Sequence, residues 1–395
     1  MDEKERASDP FFLFLSYNAP HWPLHAHPED IVRYEGVYDD GYEVIRKARY
    51  QNQLKQGLFE AKTAPLSDQE NTDWSTLSEP EKKEETLRMQ IHAAMVDRMD
   101  QNIGRLIEKL CIMQKLENTL ICFLVDNGSS HEKPKRGMKN EAADWGSVGS
   151  FEAIGQSWAN VTNSPFRKWK AQGMEGGICT PMIAHWPAGI KLPKHSIYRE
   201  PCHLIDWVPT FMKLAGERAK YPSGLHELDG ISLKPSFEAN PTLCELSGLP
   251  KPKHLAGRSF VPLLDDPNKR LKKFAISQFP NPALREWAAN PLSSGMRKTF
   301  FGSLIVEIEN QIKEQYKNQW DRELFENHLM GYTLRTDFYR LVAWLDYRDV
   351  QKKPLHLELY DHRKDPQETV NIATEFPEKA NELLRKLLTI GIGKK

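Results

Sequence analysis

Three short segments carry side chains whose types and spacing could do chemistry. Asp126-Asn127-Gly128 places a carboxylate beside an amide oxygen at the end of an apolar run. Those are hard oxygen donors, suited to Ca²⁺ or Mg²⁺ and not to zinc, but two ligands are too few and others must come from elsewhere. Asn-Gly is also a strong turn signal, so a plain turn is the competing reading. His21-Trp22-Pro23-Leu24-His25-Ala26-His27 holds three histidines in seven residues. No matching Cys or His pair lies nearby, which argues against zinc. A single histidine placed just after a strand suits a general acid. Asn163-Ser164-Pro165-Phe166-Arg167-Lys168-Trp169-Lys170 is followed by Glu175-Gly176-Gly177. It reads either as a basic surface loop or as a loop whose Lys170 holds an anionic substrate beside a cation.

The elements that would position these groups follow from hydrophobic patterning. Pro10 to Tyr17 is a short continuous apolar run and predicts a strand buried on both faces. From Glu84 to Leu110, apolar residues recur at Leu87, Ile91, Met95, Met99, Ile103, Ile107 and Leu110, which predicts a helix. Thr119 to Val125 predicts a second buried strand, ending at Asp126. Helix, buried strand and polar loop in that order is α/β logic, with sites built at strand ends. Pro181 to Trp186 predicts another strand, and Leu204 to Leu214 a helix stopped by Gly216. Phe301 to Arg322 reads as helical. Thr333–Arg335 and Arg340–Trp344 alternate like strands of a small antiparallel sheet, and Glu378 to Ile390 predicts a terminal helix.

The chain has 395 residues, with 54 Lys plus Arg against 54 Asp plus Glu. A net charge of zero excludes a chain-wide basic field for nucleic acid. At 39% hydrophobic and 27% charged the composition is that of a globular chain. No apolar run approaches the roughly 20 residues of a membrane span. Cys111, Cys122, Cys179, Cys202 and Cys244 form no CxxC pair, and their odd number argues against a disulfide framework. The charged start Met1-Asp2-Glu3-Lys4-Glu5-Arg6 is no signal peptide, so a literal reading is cytoplasmic.

Taken together and in this order, the motifs resemble the sulfatase family. Ala19-Pro20-His21-Trp22-Pro23-Leu24 resembles its histidine motif, and Met95 to Gly104 the helix before its metal strand. Asp126-Asn127-Gly128 resembles the second metal pair. Asn163 to Arg167, Lys170 and Glu175-Gly176-Gly177 resemble the lysine loop. Leu359-Tyr360-Asp361 with Asp365-Pro366 and Glu368 resembles the family's C-terminal ending. The resemblance implies an alkaline-phosphatase-like α/β core, a mixed sheet flanked by helices, with a smaller C-terminal α+β part. It implies hydrolysis of sulfate esters of aryl alcohols or sugars by a formylglycine made from a Cys-x-Pro-x-Arg cysteine. His21 would sit at the leaving-group oxygen, Lys170 would hold sulfate oxygens, and Asp126 and Asn127 would bind Ca²⁺. Relatives are usually periplasmic or secreted.

The sequence departs from the family in two places. Cys-x-Pro-x-Arg does not occur; Cys179-Thr180-Pro181-Met182-Ile183 has Ile where Arg is required. The first aspartate pair is also missing. The expectation is therefore a sulfatase core lacking its opening segment. Two further expectations come from an internal echo. Pro209-Thr210 with Leu214-Ala215-Gly216 is repeated by Pro241-Thr242 with Leu246-Ser247-Gly248, and Leu228 to Leu233 by Leu255 to Phe260. Residues 1–236 resemble arylsulfatases. Residues 237–395 resemble iduronate-2-sulfatase-type sequences, through Ser259 to Leu264, Ser277-Gln278-Phe279-Pro280 and Met330-Gly331-Tyr332. A joint near residues 236–241 is expected, the alternative being two similar helix-turn pieces by chance. The alternatives to a sulfatase hydrolase are a non-catalytic sulfatase-like binding protein and a phosphoesterase of the same superfold.

Overall fold

The computed structural model describes residues 10–133, 143–207 apart from 200, 272–280, and 328–389 apart from 347, 350 and 352, with single residues between these stretches. The expected joint at 236–241 and the echo from Ala215 onward lie outside the described residues. So does Phe301 to Arg322, apart from Asn310, Lys313 and Glu314.

The N-terminal part is built on helices. α1 (Pro28–Ile31) and α2 (Gly41–Lys55) precede the long α3 (Glu79–Ile112). The periodicity placed α3 from 84 to 110, and it starts five residues earlier for a local reason. Ser78 caps it: its backbone N–H donates to Glu81 at 2.8 Å, and its hydroxyl accepts from the Glu81 N–H. That reciprocal pair satisfies two otherwise orphaned donors. Ile91 and Met95 on one face of α3 are buried in one cluster with Trp158, Ala159 and Val161 of α4 (Gly155–Thr162). At the centre is Trp158, fully buried, with the rings of Tyr38, Tyr42 and Trp74 edge-on to it at 5.6, 4.8 and 6.4 Å. Its indole N–H donates to the Glu85 carbonyl at 2.8 Å, so the polar edge is satisfied.

β1 (Ile121–Leu124) and β2 (Met182–His185) form a two-stranded antiparallel sheet with Ile121 opposite His185. The helix–strand–loop order suggested parallel neighbours. Among the described residues β1 instead takes an antiparallel partner 60 residues on, and neither strand is fully buried. The predicted strand from Pro10 to Tyr17 is a clearer correction. It takes no strand conformation, and Phe12 and Phe14 are 72% and 79% exposed. An apolar run becomes a strand only when a neighbour accepts its backbone hydrogen bonds, and no described residue supplies that ladder. Its contacts are Phe12 edge-on to Phe211 at 5.7 Å and Lys115 over Phe11.

The C-terminal part is an antiparallel sheet in the order β3 (Ala275–Pro280), β4 (Leu329–Arg335), β5 (Tyr339–Asp346), β6 (Pro354–Asp361). The two predicted alternating stretches are β4 and β5. Two of the iduronate-type motifs turn out to be cross-strand neighbours, with Gln278 opposite Tyr332 and Phe279 opposite Gly331. α5 (Glu175–Ile178) precedes β2, and α6 (Pro377–Thr389) closes the chain's described part. Ala380, Leu383, Leu384 and Leu387 of α6 share one helical face and pack on Leu334, Leu341, Ala343, Leu345 and Leu359. No helix among the described residues is long and apolar enough to cross a membrane.

Trp158→Ala removes the largest fully buried ring and its indole hydrogen bond to the Glu85 carbonyl. It is expected to cost about 3–5 kcal/mol, read as a drop in thermal midpoint.

Candidate functional site

Three loops meet at His21 and Lys170. The Lys170 ammonium lies 3.0 Å from Nε2 of His21. The other ring nitrogen, Nδ1, is 2.7 Å from the Trp22 carbonyl. A carbonyl only accepts, so Nδ1 carries the proton and Nε2 of the neutral ring is free to accept from Lys170. His21 is exposed and Lys170 half-buried, so the pair faces outward. The two residues are 149 positions apart in sequence, and the resemblance had assigned both to one anion.

The loop after β1 is tied to both. The Lys170 backbone N–H donates to the Ser129 carbonyl at 3.0 Å. The Trp22 indole N–H donates to Glu132 at 2.9 Å and Ser130 at 3.1 Å. Asp126 and Asn127 open this same loop. Asp126 is exposed, and its Oδ1 accepts from the Asn127 N–H at 3.0 Å. The Asn127 side-chain amide donates to the Gly128 carbonyl at 3.0 Å, which leaves its oxygen unused by that bond. A carboxylate and an amide oxygen so placed suit a hard divalent cation in kind, though not in number. The backbone bends through Asp126, Asn127 and Gly128.

Close backbone packing, available only to glycine, joins this loop to the lysine loop. Gly128 donates its N–H to the Gly177 carbonyl at 3.0 Å, and a Cβ on Gly128 would come within 1.8 Å of the Gly176 oxygen. Gly176 donates to the Arg167 carbonyl at 3.0 Å, and a Cβ there would lie 2.2 Å from the Lys168 oxygen. Ser129 N–H donates to Oδ1 of Asn163 at 3.0 Å, and Asn163 in turn donates to the Lys168 carbonyl at 3.1 Å. Lys168 and Ala171, on either side of Lys170, have φ of +67° and +66°. Such left-handed backbone in non-glycine residues persists only where the surroundings enforce it.

The three cations of the lysine loop have separate fates. Arg167 and Lys168 pair with Glu70 at 3.1 and 2.9 Å, and Lys168 is buried. Among the described residues Lys170 meets no carboxylate. The loop is therefore not a basic surface: two charges are neutralised inside and the third is presented beside His21. The other histidines of the motif go elsewhere. His25 Nε2 lies 2.9 Å from the Ser150 carbonyl, and His27 is exposed near Glu29.

Sequence reasoning missed Arg340 altogether. It stands on β5, fully buried, and forms ion pairs with Glu175 and with Glu368. Arg335 adds a contact to Glu175 at 3.0 Å, and His362 one to Glu368 at 2.8 Å. Arg167 donates to the Glu368 carbonyl. Ligand atoms of Glu175, His362 and Glu368 lie within 4.8 Å of one another, a spacing that would suit a metal ion. The Arg340 guanidinium already supplies the positive charge there, so the cluster does not fit one. Burial alone would raise the Glu175 carboxyl, but Arg340, Arg335 and His362 overcome it and hold it well below the usual carboxylate range. Cys179, nearest to the family's cysteine pattern, is the opposite case. The residue as a whole is exposed, yet desolvation by the atoms packed around its sulfur, and then the Glu175 carboxylate, push its thiol up, away from the reactive thiolate.

Comparison with known proteins says which family this mixed α/β chain belongs to. The sulfatase family model matches residues 1–217. The chain is 35% identical over 221 residues to an uncharacterized sulfatase of Schizosaccharomyces pombe, covering 53% of this chain and 40% of that protein. It is 33% identical over 222 residues to an arylsulfatase of Klebsiella aerogenes, covering 52% and 46%. A solved structure of a candidate sulfatase, yidJ, from Bacteroides fragilis superposes with a TM-score of 0.50 at 17% identity, covering 98% of this chain and 55% of that one. The chain belongs to the sulfatase family, and its fold is the alkaline-phosphatase-like α/β fold. It spans less than half the length of these two curated relatives.

Two outcomes follow. Gly128→Ala forces Cβ into the Gly176 carbonyl, so it is expected to lower stability by at least about 1–3 kcal/mol in a denaturant titration. Because the folded Glu175 carboxyl lies below its ordinary 4.5, its contribution is full above that pH and is lost as pH falls further. Glu175→Gln is expected to flatten the fall of thermal midpoint with pH below about 4.5.

Proposed function

We propose that this chain is the sulfate-handling part of a sulfate-ester hydrolase, acting on an aryl sulfate or a sulfated sugar. The observation that carries this reading is the His21–Lys170 contact of 3.0 Å, built by loops that also hold Asp126 and Asn127. An ammonium and an imidazole held this close repel once both are charged. An oxyanion between them relieves that repulsion and accepts from both. Lys170 would hold sulfuryl oxygens. His21, with Nδ1 anchored on the Trp22 carbonyl, would take up a proton from solvent at Nε2 and pass it to the ester oxygen as the attacking nucleophile displaces the alcohol.

Asp126 and Asn127 would hold Ca²⁺, and that cation would add positive charge facing the sulfate oxygens. Their donor chemistry suits the ion, and the remaining ligands would come from outside this pair. The attacking nucleophile of the family is a formylglycine, and Cys-x-Pro-x-Arg does not occur in this sequence. Binding is therefore the property to measure first. In calorimetric titration with sodium sulfate and with 4-nitrophenyl sulfate at constant ionic strength, Lys170→Ala is expected to weaken binding at least tenfold. His21→Ala should weaken it severalfold. Added Ca²⁺ is expected to tighten binding in the wild type and not in Asp126→Ala. Equal affinities in all four proteins would rule the reading out.

A further inference from the structure

We propose that Glu175, clamped by Arg340 and Arg335 of the C-terminal sheet, is the positioning residue that holds the lysine loop and the Asp126 loop in register with each other. The functional half of this statement rests on the sulfate reading; the positioning half does not.

Glu175 opens α5 and carries Gly176 and Gly177 directly behind it. Those two glycines are the contact surface for both loops. Gly177 accepts from Gly128 at 3.0 Å, and Gly176 donates to Arg167 at 3.0 Å. Space at these contacts is already exhausted, since a Cβ on Gly177 would lie 2.2 Å from the Gln172 oxygen and 2.6 Å from that of Trp169. A shift of Glu175 therefore cannot be absorbed locally. It moves Gly128, and with it Asp126 and Asn127, and it moves the turn that bears Lys170. That turn also needs an external hold, because Lys168 and Ala171 flank Lys170 in left-handed backbone.

The hold comes from the other part of the chain. Arg340 is fully buried and bridges Glu175 to Glu368, whose own φ is +59°. The Glu368 carbonyl accepts from Arg167, within the lysine loop. One guanidinium thus reaches that loop at two points, through Glu175 and through Glu368. A buried guanidinium needs its charge met by acceptors, and here the two carboxylates that meet it come from separate segments, which ties those segments to one point.

The test uses the whole chain with ¹⁵N-labelled glycine and lysine, in wild type, Glu175→Gln and Arg335→Gln. Amide resonances of Gly128, Gly177 and Lys170 are expected to move in both variants, while those of Gly41 and Gly104, on α2 and α3, stay in place. Sulfate affinity is expected to fall about tenfold in Glu175→Gln and less in Arg335→Gln. Arg335 is a quarter exposed at its side chain, so its variant decides the matter if Glu175→Gln does not fold. Unmoved Gly128 and Lys170 amides overturn the proposal. So does movement of all labelled amides alike, which would mean general loosening. Absence of sulfate binding in the wild type would overturn the sulfate reading alone, and the amide pattern would still decide the positioning role.

Discussion

A guanidinium with no exposed surface has to be met on every side by acceptors, and in this chain that requirement falls on Arg340. Leaving it unpaired would cost far more than an ordinary core defect, since the charge has no water to turn to. Its acceptors are Glu175, from the loop before β2, Glu368, from the C-terminal ending, and Thr333 across the strand pair at 3.1 Å. The N-terminal part and the C-terminal sheet are therefore joined at the point where the site's loops begin. The ending motif acquires a physical purpose from this. Asp365 accepts from the Thr369 and Val370 amides at 2.7 and 2.8 Å and shapes the turn that delivers Glu368 to Arg340.

Around that joint, charge is sorted by burial. Arg167 and Lys168 turn inward to Glu70, and Lys170 turns outward to His21. The sorting depends on backbone geometry and not on side-chain preference, because the three residues are nearly adjacent in sequence. The backbone is left-handed at Lys168, which turns inward, and at Ala171, just after the outward-facing Lys170. Glycines at 128, 176 and 177 permit the approach that makes those turns stable.

Some of this was legible in the residues. The stripe from Leu87 to Leu110 is α3, the alternation at Arg340–Trp344 is β5, and the face at 380, 383, 384 and 387 is buried in α6. The start of α3 had a signal that the periodicity overlooked, the Ser78-x-x-Glu81 capping box. Pro10 to Tyr17 misled because apolar content reports affinity for burial, not the presence of a pairing partner. β1 and β2 were placed correctly, but their antiparallel pairing was not legible, since two short apolar runs carry no mark of relative direction. Arg340 carried no signal at all: a charged residue in an alternating strand reads as the solvent face, and only the opposing carboxylates reverse that.

What the sequence determined by itself was the family and the short motifs, because motifs are local and their residue types follow from the chemistry they serve. His21, Lys170, Asp126 and Asn127 were named from such motifs alone. Only the tertiary structure decided that Lys170 and not its neighbours faces His21, that Nδ1 of His21 is committed to a backbone carbonyl, and that a buried arginine from a distant strand closes the arrangement. The physical reason is that each of these depends on distances between residues far apart in the chain. Such distances are set by packing and charge burial over the whole fold, and no local pattern encodes them.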